Sequence, residues 1–473
     1  MLTTEKVSKA KVIGEGRDRK LKFREKFSAT VLDGTATFHL QVVQLFLLFF
    51  YTDIMKISPA YVAGLFLITR IIDAFLTPVF GILVDKVSTP WGKYKPWVIT
   101  IGIGTGITGW LTYTVPDLSP DGKIVYATIT YVLYSLFISV TSAPTTALKP
   151  AITKSIDDRI SMGQIGYFII IIGALFAQSA VQPLYKALGG GNDARGFSLV
   201  MGAVAVVSIL IAIYQQFSIK ERYVVVPAKN EKGPSLKEML VAVFTNKTAI
   251  IVYLFILGTN LANGIRAGAS IYYFKYYFGN EGLLAIVGLV SLVPTMIGVM
   301  FSSKITRRIG IKKNLVIAII VNVIGTAAAI ALPPSSVGII LFMVIGALIA
   351  FFAGLSTPAQ ATMMPAAMDY TEWKTKKNVN GFMASFQGFL QTFATAISGA
   401  ITAGMLALIG YVGGAEQSSE TILGLKILMG IVPAIATLFS FSVLWFDLTE
   451  DKQAQITKEL EERRNNSGED AKE

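Results

Sequence analysis

The 473-residue sequence contains no cysteine and a single histidine, His39. The first absence excludes disulfides, thiolate metal sites and cysteine nucleophiles; the second leaves histidine-based triads and multi-histidine metal centres without their parts. Charge is also scarce, with Asp, Glu, Lys and Arg making up 15% of the chain against about 25% in an ordinary soluble protein. Since 53% of the residues are hydrophobic, the polar surface is too small to cover a water-soluble globule of this size, and the chain reads as an all-α, polytopic membrane protein. Acidic residues are the rarer sign, 30 against 42 basic, for a formal net charge of +12. In a soluble protein that balance would suggest a nucleic-acid partner; in a membrane protein what matters is where the basic residues lie, and no nucleic-acid partner is expected. The first 28 residues have no apolar core, so no cleavable signal peptide is expected.

What the chain does have is a series of apolar runs long enough to cross about 30 Å of hydrocarbon. Twelve recur, from about 29–52 to about 422–446. The expected organisation is an N-terminal arm over 1–28, a six-helix bundle over 29–217, a middle loop over 218–247, a second six-helix bundle over 248–446 and a tail over 447–473. With the N-terminus inside, the arm, the even-numbered loops and the tail hold 34 of the 42 Lys and Arg. The positive-inside rule therefore places both termini in the cytoplasm of a multi-pass cell-membrane protein, read as a monomer in the lipid bilayer. Within the middle loop, SLKEMLVAVF suggests an amphipathic surface helix. In the tail, ITKELEERR suggests a short solvated helix. After the second run the chain reads DKVSTPWGKYK and after the eighth SKITRRIGIKK, a weak internal repeat. Two six-helix halves around a central loop are the layout of major facilitator transporters, whose site lies near the midplane.

Arg70 and Asp73, three residues apart inside an apolar run, share one helix face, with Thr77 a turn further on. Charge at membrane depth is expensive and marks a functional site by default. Asp73 and Thr77 offer two oxygens to a coupling cation, and a desolvated carboxylate can also carry a proton. Arg70 can equally neutralise Asp73 in a structural salt bridge. The residues leave sodium, proton and no coupling open, and no other cofactor is expected.

A sugar needs hydroxyl and amide partners and aromatic faces. Candidates are Thr37, Gln41, Thr141, Ser142, Thr145, Thr146, Gln164, Tyr167, Asn260, Asn263, Arg266, Gln387 and Gln391. Each such residue type also serves as an ordinary helix–helix hydrogen bond in membranes. Thr141 to Thr146 crowd a helix that Pro144 should kink, freeing carbonyls to line a cavity. Asn260, Asn263 and Arg266 lie at three-residue spacing, and Arg266 can meet an acidic substrate, a carboxylate of another helix, or a loop near the outer surface. His39 points away from Thr37 and reads as a packed, neutral histidine. Charged turns around Asp85 to Lys95 and Lys304 to Lys313 resemble gating loops, so Arg70, Asp85, Lys93, Arg307, Asp369 and Glu372 are candidate gating residues, with a merely solvated loop as the bland alternative.

The blocks YTD at Tyr51–Asp53, R-x-x-D at Arg70–Asp73, WGKYKPW at Trp91–Trp97, KERY at Lys220–Tyr223, YYFKYYFG at Tyr272–Gly279 and MDYTEWKT at Met368–Thr375 span the chain in order. Together they resemble the glycoside-pentoside-hexuronide cation symporter family of the major facilitator superfamily. The resemblance implies twelve transmembrane helices in the major facilitator fold, alternating access, and a small glycoside or sugar acid carried with a cation. It also exposes departures. Where the family pattern has acidic ligands this chain has Thr37, Thr77 and Ser142, and Thr146 stands for the sugar-stacking aromatic. Gly166 or Tyr167 stands for an Arg, and Thr392 for a Lys of the cation site. Asp73 alone keeps its charge.

The expected function is therefore a secondary transporter importing a glycoside, pentoside or hexuronide with H+ or Na+. The alternatives are a sugar uniporter or exchanger without tight coupling and a lipid or amphiphile carrier. No acid–base pair, metal cluster or nucleophile motif suggests an enzyme.

Overall fold

The structure, a computed structural model, describes residues 20–86, 89, 91–153, 155–222, 241, 244–376, 379–447, 452–453, 455–460 and 462. Most of the expected arm and of the amphipathic helix around 235–244 therefore lie outside the described residues. What is described is helical, with a single isolated bridge between Thr89 and Gly92. The chain divides into two compact units, Met1–Glu231 with Val412–Ala415, and Lys232–Tyr411 with Glu416–Glu473.

The first unit contains α1 (Phe23–Val42), continued by π-helical turns at Val43–Leu47 and Phe50–Ile54, then α2 (Pro59–Lys86), α3 (Lys95–Thr112), α4 (Pro120–Val140), α5 (Ser142–Ile152), α6 (Ile156–Gly189) and α7 (Asp193–Ser218). Helix starts follow side-chain chemistry. Ser119, Ser155 and Asn192 each accept a backbone N–H of the first turn of α4, α6 and α7. The run expected as one kinked helix is broken at Thr141, dividing α4 from α5. Pro144 accounts for the break, because its ring meets the carbonyl of Val140 four residues back and offers that carbonyl no N–H. α1 and α6 cross with their backbones nearly touching, since a Cβ on Gly173 would lie 2.4 Å from the carbonyl oxygen of Gly34. Small residues permit this approach between membrane helices. The core at one end is aromatic, with Tyr185 stacked on Phe197 at 4.0 Å between ring centroids and Phe46 set edge-on to both.

The second unit contains α8 (Lys247–Tyr272) with a π turn at Tyr273–Tyr277, α9 (Leu283–Ile309), α10 (Ile311–Ala328), α11 (Ser336–Thr375), α12 (Asn380–Leu408) and α13 (Ser419–Leu438), which runs into a 3-10 segment at Phe439–Trp445. Along α9, Leu289, Val293, Met296 and Met300 form an exposed apolar stripe at helical spacing. Such a stripe suits hydrocarbon rather than water. Among the described residues nine helices are long and apolar enough to cross a membrane. The first three of the twelve expected runs are helical as α1, α2 and α3 but are not among the nine.

The tail corrects one expectation. Ile456 and Leu460 are 3% and 4% exposed and belong to a core cluster with Met363, Ala367 and Val379. Their four-residue spacing gives the short helix an apolar stripe, which docks on the unit instead of standing in solvent.

Candidate functional site

The three-residue spacing in α2 closes an ion pair, Arg70 Nη1 to Asp73 Oδ2 at 3.1 Å, with side chains 10% and 5% exposed. Ser135 of α4 donates its hydroxyl to the same Oδ2 at 2.6 Å. One carboxylate thus gathers a guanidinium from its own helix and a hydroxyl from another. Arg70 Nε is buried with no hydrogen-bond partner among the described residues. A buried pair that leaves a donor unmet stabilises little and is retained for some other reason. The side chain of Thr77, like those of Asp85, Ser142 and Thr146, lies outside the described ones.

Several substrate candidates are committed to their own helices. The hydroxyls of Thr37, Thr141 and Thr145 donate to the carbonyls of Asp33, Phe137 and Thr141, and Asn260 Nδ2 donates to Ile256 O at 2.8 Å. Gln41 and Gln387 are half-buried, whereas Gln164, Tyr167 and Gln391 are exposed. Asn263 is exposed, and its Oδ1 accepts from Arg266 Nη2 at 3.0 Å. Arg266 Nη1 reaches Thr326 Oγ1 of α10 at 3.4 Å. His39 is 1% exposed, with Nδ1 2.8 Å from Thr35 O, so Nδ1 carries the proton. Among the described residues its Nε2 has no partner; it borders a cavity of about 10 Å³ with Thr105 and Ser208, whose hydroxyls also lack partners there.

The gating candidates other than Arg70 fall among helix ends and turns. Lys93 is buried against the ring of Tyr94. Glu221, from KERY, accepts the backbone N–H groups of Lys93, Tyr94 and Lys95 at 2.7, 2.8 and 2.7 Å. The carboxylate therefore sits at the positive start of α3, where an anion is favoured. Burial lowers the pKa of Lys95, and the neighbouring Glu221 offsets part of that shift. Arg222 pairs with Glu25 at 2.6 Å, and Lys26 with Asp158 at 2.8 Å. Burial pushes the Asp158 carboxyl up, but Lys26 and the backbone N–H of Leu21 outweigh it and hold its pKa below the ordinary value. In the second unit Arg307 is exposed in the last turn of α9, and Asp369 and Glu372 are half-buried in the last turns of α11. Nearby, Trp373 donates its indole N–H to Glu459 of the docked tail.

Two elements of this constellation escaped sequence reasoning. Glu221 could have been suspected only by asking what caps the turn WGKYK, whose donors are backbone groups. The other is Lys149. It is part of α5 and pairs with Asp33 of α1 at 2.7 Å.

A family model described as MFS/sugar transport protein matches residues 34–449. The chain is 30% identical to the inner membrane symporter YicJ of Escherichia coli (strain K12), over 93% of this chain and 95% of that one. It is 29% identical to the isoprimeverose transporter of Lactiplantibacillus pentosus, over 93% of this chain and 91% of that one. Among solved structures, a bacterial homologue of the human lysosomal transporter Spinster superposes with a TM-score of 0.64 at 14% identity, covering 91% of this chain and 100% of the other. At that identity the likeness concerns the fold alone.

Proposed function

The chain belongs to the MFS/sugar transport protein family, and on that premise we propose that it imports a glycoside, pentoside or hexuronide together with H+ or Na+ by alternating access. It is a multi-pass membrane transporter, not an enzyme. The fuller reading has twelve spans in two six-helix halves, both termini in the cytoplasm, and a monomer in the cell membrane. One of the relatives is an isoprimeverose transporter, which supports a sugar as the small-molecule cargo.

The observation that carries the coupling part is the Arg70–Asp73–Ser135 group. A carboxylate already held by a cation and a hydroxyl, in a segment where charge is costly, is poised to exchange one positive partner for another. Binding of H+ or Na+ at Asp73 would release Arg70, and the competition between them supplies the differential affinity that a two-state carrier needs. The same pair also favours the second reading, uniport or exchange, because Arg70 at 3.1 Å neutralises Asp73 without any ion.

Uptake into proteoliposomes, with sodium and proton gradients imposed separately across a panel of pentosides, hexuronides and galactosides, separates these. Coupling requires accumulation against the sugar gradient under one of the two ion gradients, and loss of accumulation but not of exchange in Asp73→Asn. Equilibration without accumulation would leave the uniporter. Absence of saturable uptake of any sugar would leave the lipid or amphiphile carrier.

A further inference from the structure

Among the described residues Arg266 is a cation without a counter-ion. It lies in α8, and of the residues in that helix beyond Lys247 only its neighbour Asn263 is exposed. Both hydrogen bonds of its guanidinium go to neutral oxygens, those of Asn263 and Thr326. Among the described residues no carboxylate is within ion-pair reach. The sequence explains why. From Lys247 to Phe446 the acidic residues are Glu281, Asp369, Glu372, Glu416 and Glu420. Glu281, Glu416 and Glu420 lie between helices or at a helix start, and Asp369 and Glu372 lie in the last turns of α11. No span of this half holds an acid at the depth of Arg266.

Depth makes this informative. Counting along the helix, Arg266 is about 28 Å from the Lys247 end and about 16 Å from Tyr277 at 1.5 Å per residue. A guanidinium there is expensive unless it pairs or lines water. Arg70, in the interior of α2, obeys the rule through Asp73. Asn263 and Thr326 hold the guanidinium in place but bring no negative charge, and most of its N–H donors stay uncommitted. A planar fork with free donors is the group best shaped for a carboxylate or sulfonate.

We propose that Arg266, positioned by Asn263, recognises an oxyanion, a carboxylate or a sulfonate, on the transported sugar. This rests on the sugar-transport reading and narrows it to acidic sugars. Neutral glycosides would leave the cation buried and unpaired, so they are discriminated against by the site itself and not only by a lost contact.

Isothermal titration of the purified full-length protein with methyl β-D-glucuronide, its 6-sulfonated counterpart and methyl β-D-glucoside tests this. In the wild type one or both acids should bind at least tenfold more tightly than the neutral glucoside, and the tighter acid identifies the oxyanion. Arg266→Gln should weaken acid binding about 10- to 100-fold, the range of a charged hydrogen-bonded contact, while neutral binding changes less than threefold. Arg266→Lys, which keeps the charge and loses the fork, should retain part of the preference. Should Arg266→Gln not fold, Asn263→Ala must still lower the acid-to-neutral ratio several-fold. The proposal is overturned if Arg266→Gln or Asn263→Ala leaves that ratio unchanged, including by weakening both ligand classes equally. A wild type that binds neutral glycosides but no acid overturns it and spares the transport reading; a wild type that binds none of the three removes both.

Discussion

Glu221 occupies the space that any side chain at Gly92 would need, since a Cβ on Gly92 would lie 2.6 Å from Glu221 Oε1. Gly92 also has φ +126°, in the region that glycine alone enters at low cost. The bare backbone and the left-handed turn together let one carboxylate collect the N–H groups of Lys93, Tyr94 and Lys95. Two blocks that lie 128 residues apart in sequence are thereby one structural unit.

Glu221→Ala should accordingly cost about 2–4 kcal/mol, because three donors at a helix start lose a charged acceptor. Glu221→Gln, which keeps an acceptor and loses the charge, should cost less, and Gly92→Ala should resemble Glu221→Ala. Thermal unfolding in detergent ranks the three. As the chain has no cysteine of its own, a single Cys at the exposed Trp91 reports loosening of the turn through its labelling rate. Equal stability of Glu221→Ala and wild type would show that the cap is not needed.

For Arg70 and Asp73 the prediction is non-additivity. Either single neutralisation, Arg70→Gln or Asp73→Asn, strands the opposite charge in a buried place, at a cost of about 3–5 kcal/mol. The double variant removes both charges together and should recover much of that loss, with a coupling energy of roughly 1–3 kcal/mol in a thermal-unfolding cycle. Additive single effects would mean that the 3.1 Å contact is not an energetic pair. Transport read on the same variants separates stability from coupling, since the double variant should be folded yet unable to accumulate sugar.

Some of this was legible in the sequence and some was not, for reasons that can be named. The Arg70–Asp73 pair is local, three residues on one helix, and spacing alone foretells it. Ser135 lies 62 residues further on and donates to Asp73 through a helix contact that no periodicity encodes. Composition and run length indicate a helical membrane protein because the bilayer imposes both. The break at Thr141 was legible as a kink from Pro144, but its severity depends on neighbouring packing. Lys149 was not legible because charge usually marks a loop, while in this structure Asp33 supplies the partner that lets it stay in a helix.

Acid should reach the Lys26–Asp158 contact late. The folded pKa of Asp158 is held below the ordinary value, where burial raises it and Lys26 with the Leu21 N–H lowers it further. Its contribution is therefore complete above the unfolded carboxylate value of about 3.9 and is lost as pH falls through the lower folded value. Between pH 7 and pH 5 the melting temperature should show no loss from this pair. Lys26→Met removes the ammonium and leaves burial opposed by the Leu21 N–H and the charge of Lys20, so the folded pKa rises toward or past the unfolded one and the acid-induced loss from Asp158 should shrink or vanish relative to the wild type. Superimposable pH profiles for the two proteins would mean that Lys26 does not set this titration.

The docked tail gives the last prediction, and it follows from two side chains. Ile456 and Leu460 are almost fully buried against the residues that surround Ala367 on α11. Burying an aliphatic side chain is worth about 1.5–3 kcal/mol, while the charged residues around these two gain little from the contact. Ile456→Asp replaces an apolar contact with a carboxylate that cannot be hydrated in place, and should release the helix altogether. Release would also free Glu459 from the Trp373 indole N–H. The expected result is a melting temperature several degrees lower, protease cleavage within 452–462, and a shift in tryptophan emission toward that of a solvated indole. Thr457→Asp, close in sequence and equally charged, is the control, because Thr457 is exposed and should accept the substitution without releasing the helix. If both variants unfold alike, added charge and not the lost apolar stripe is responsible. If neither does, the tail helix is not held by Ile456.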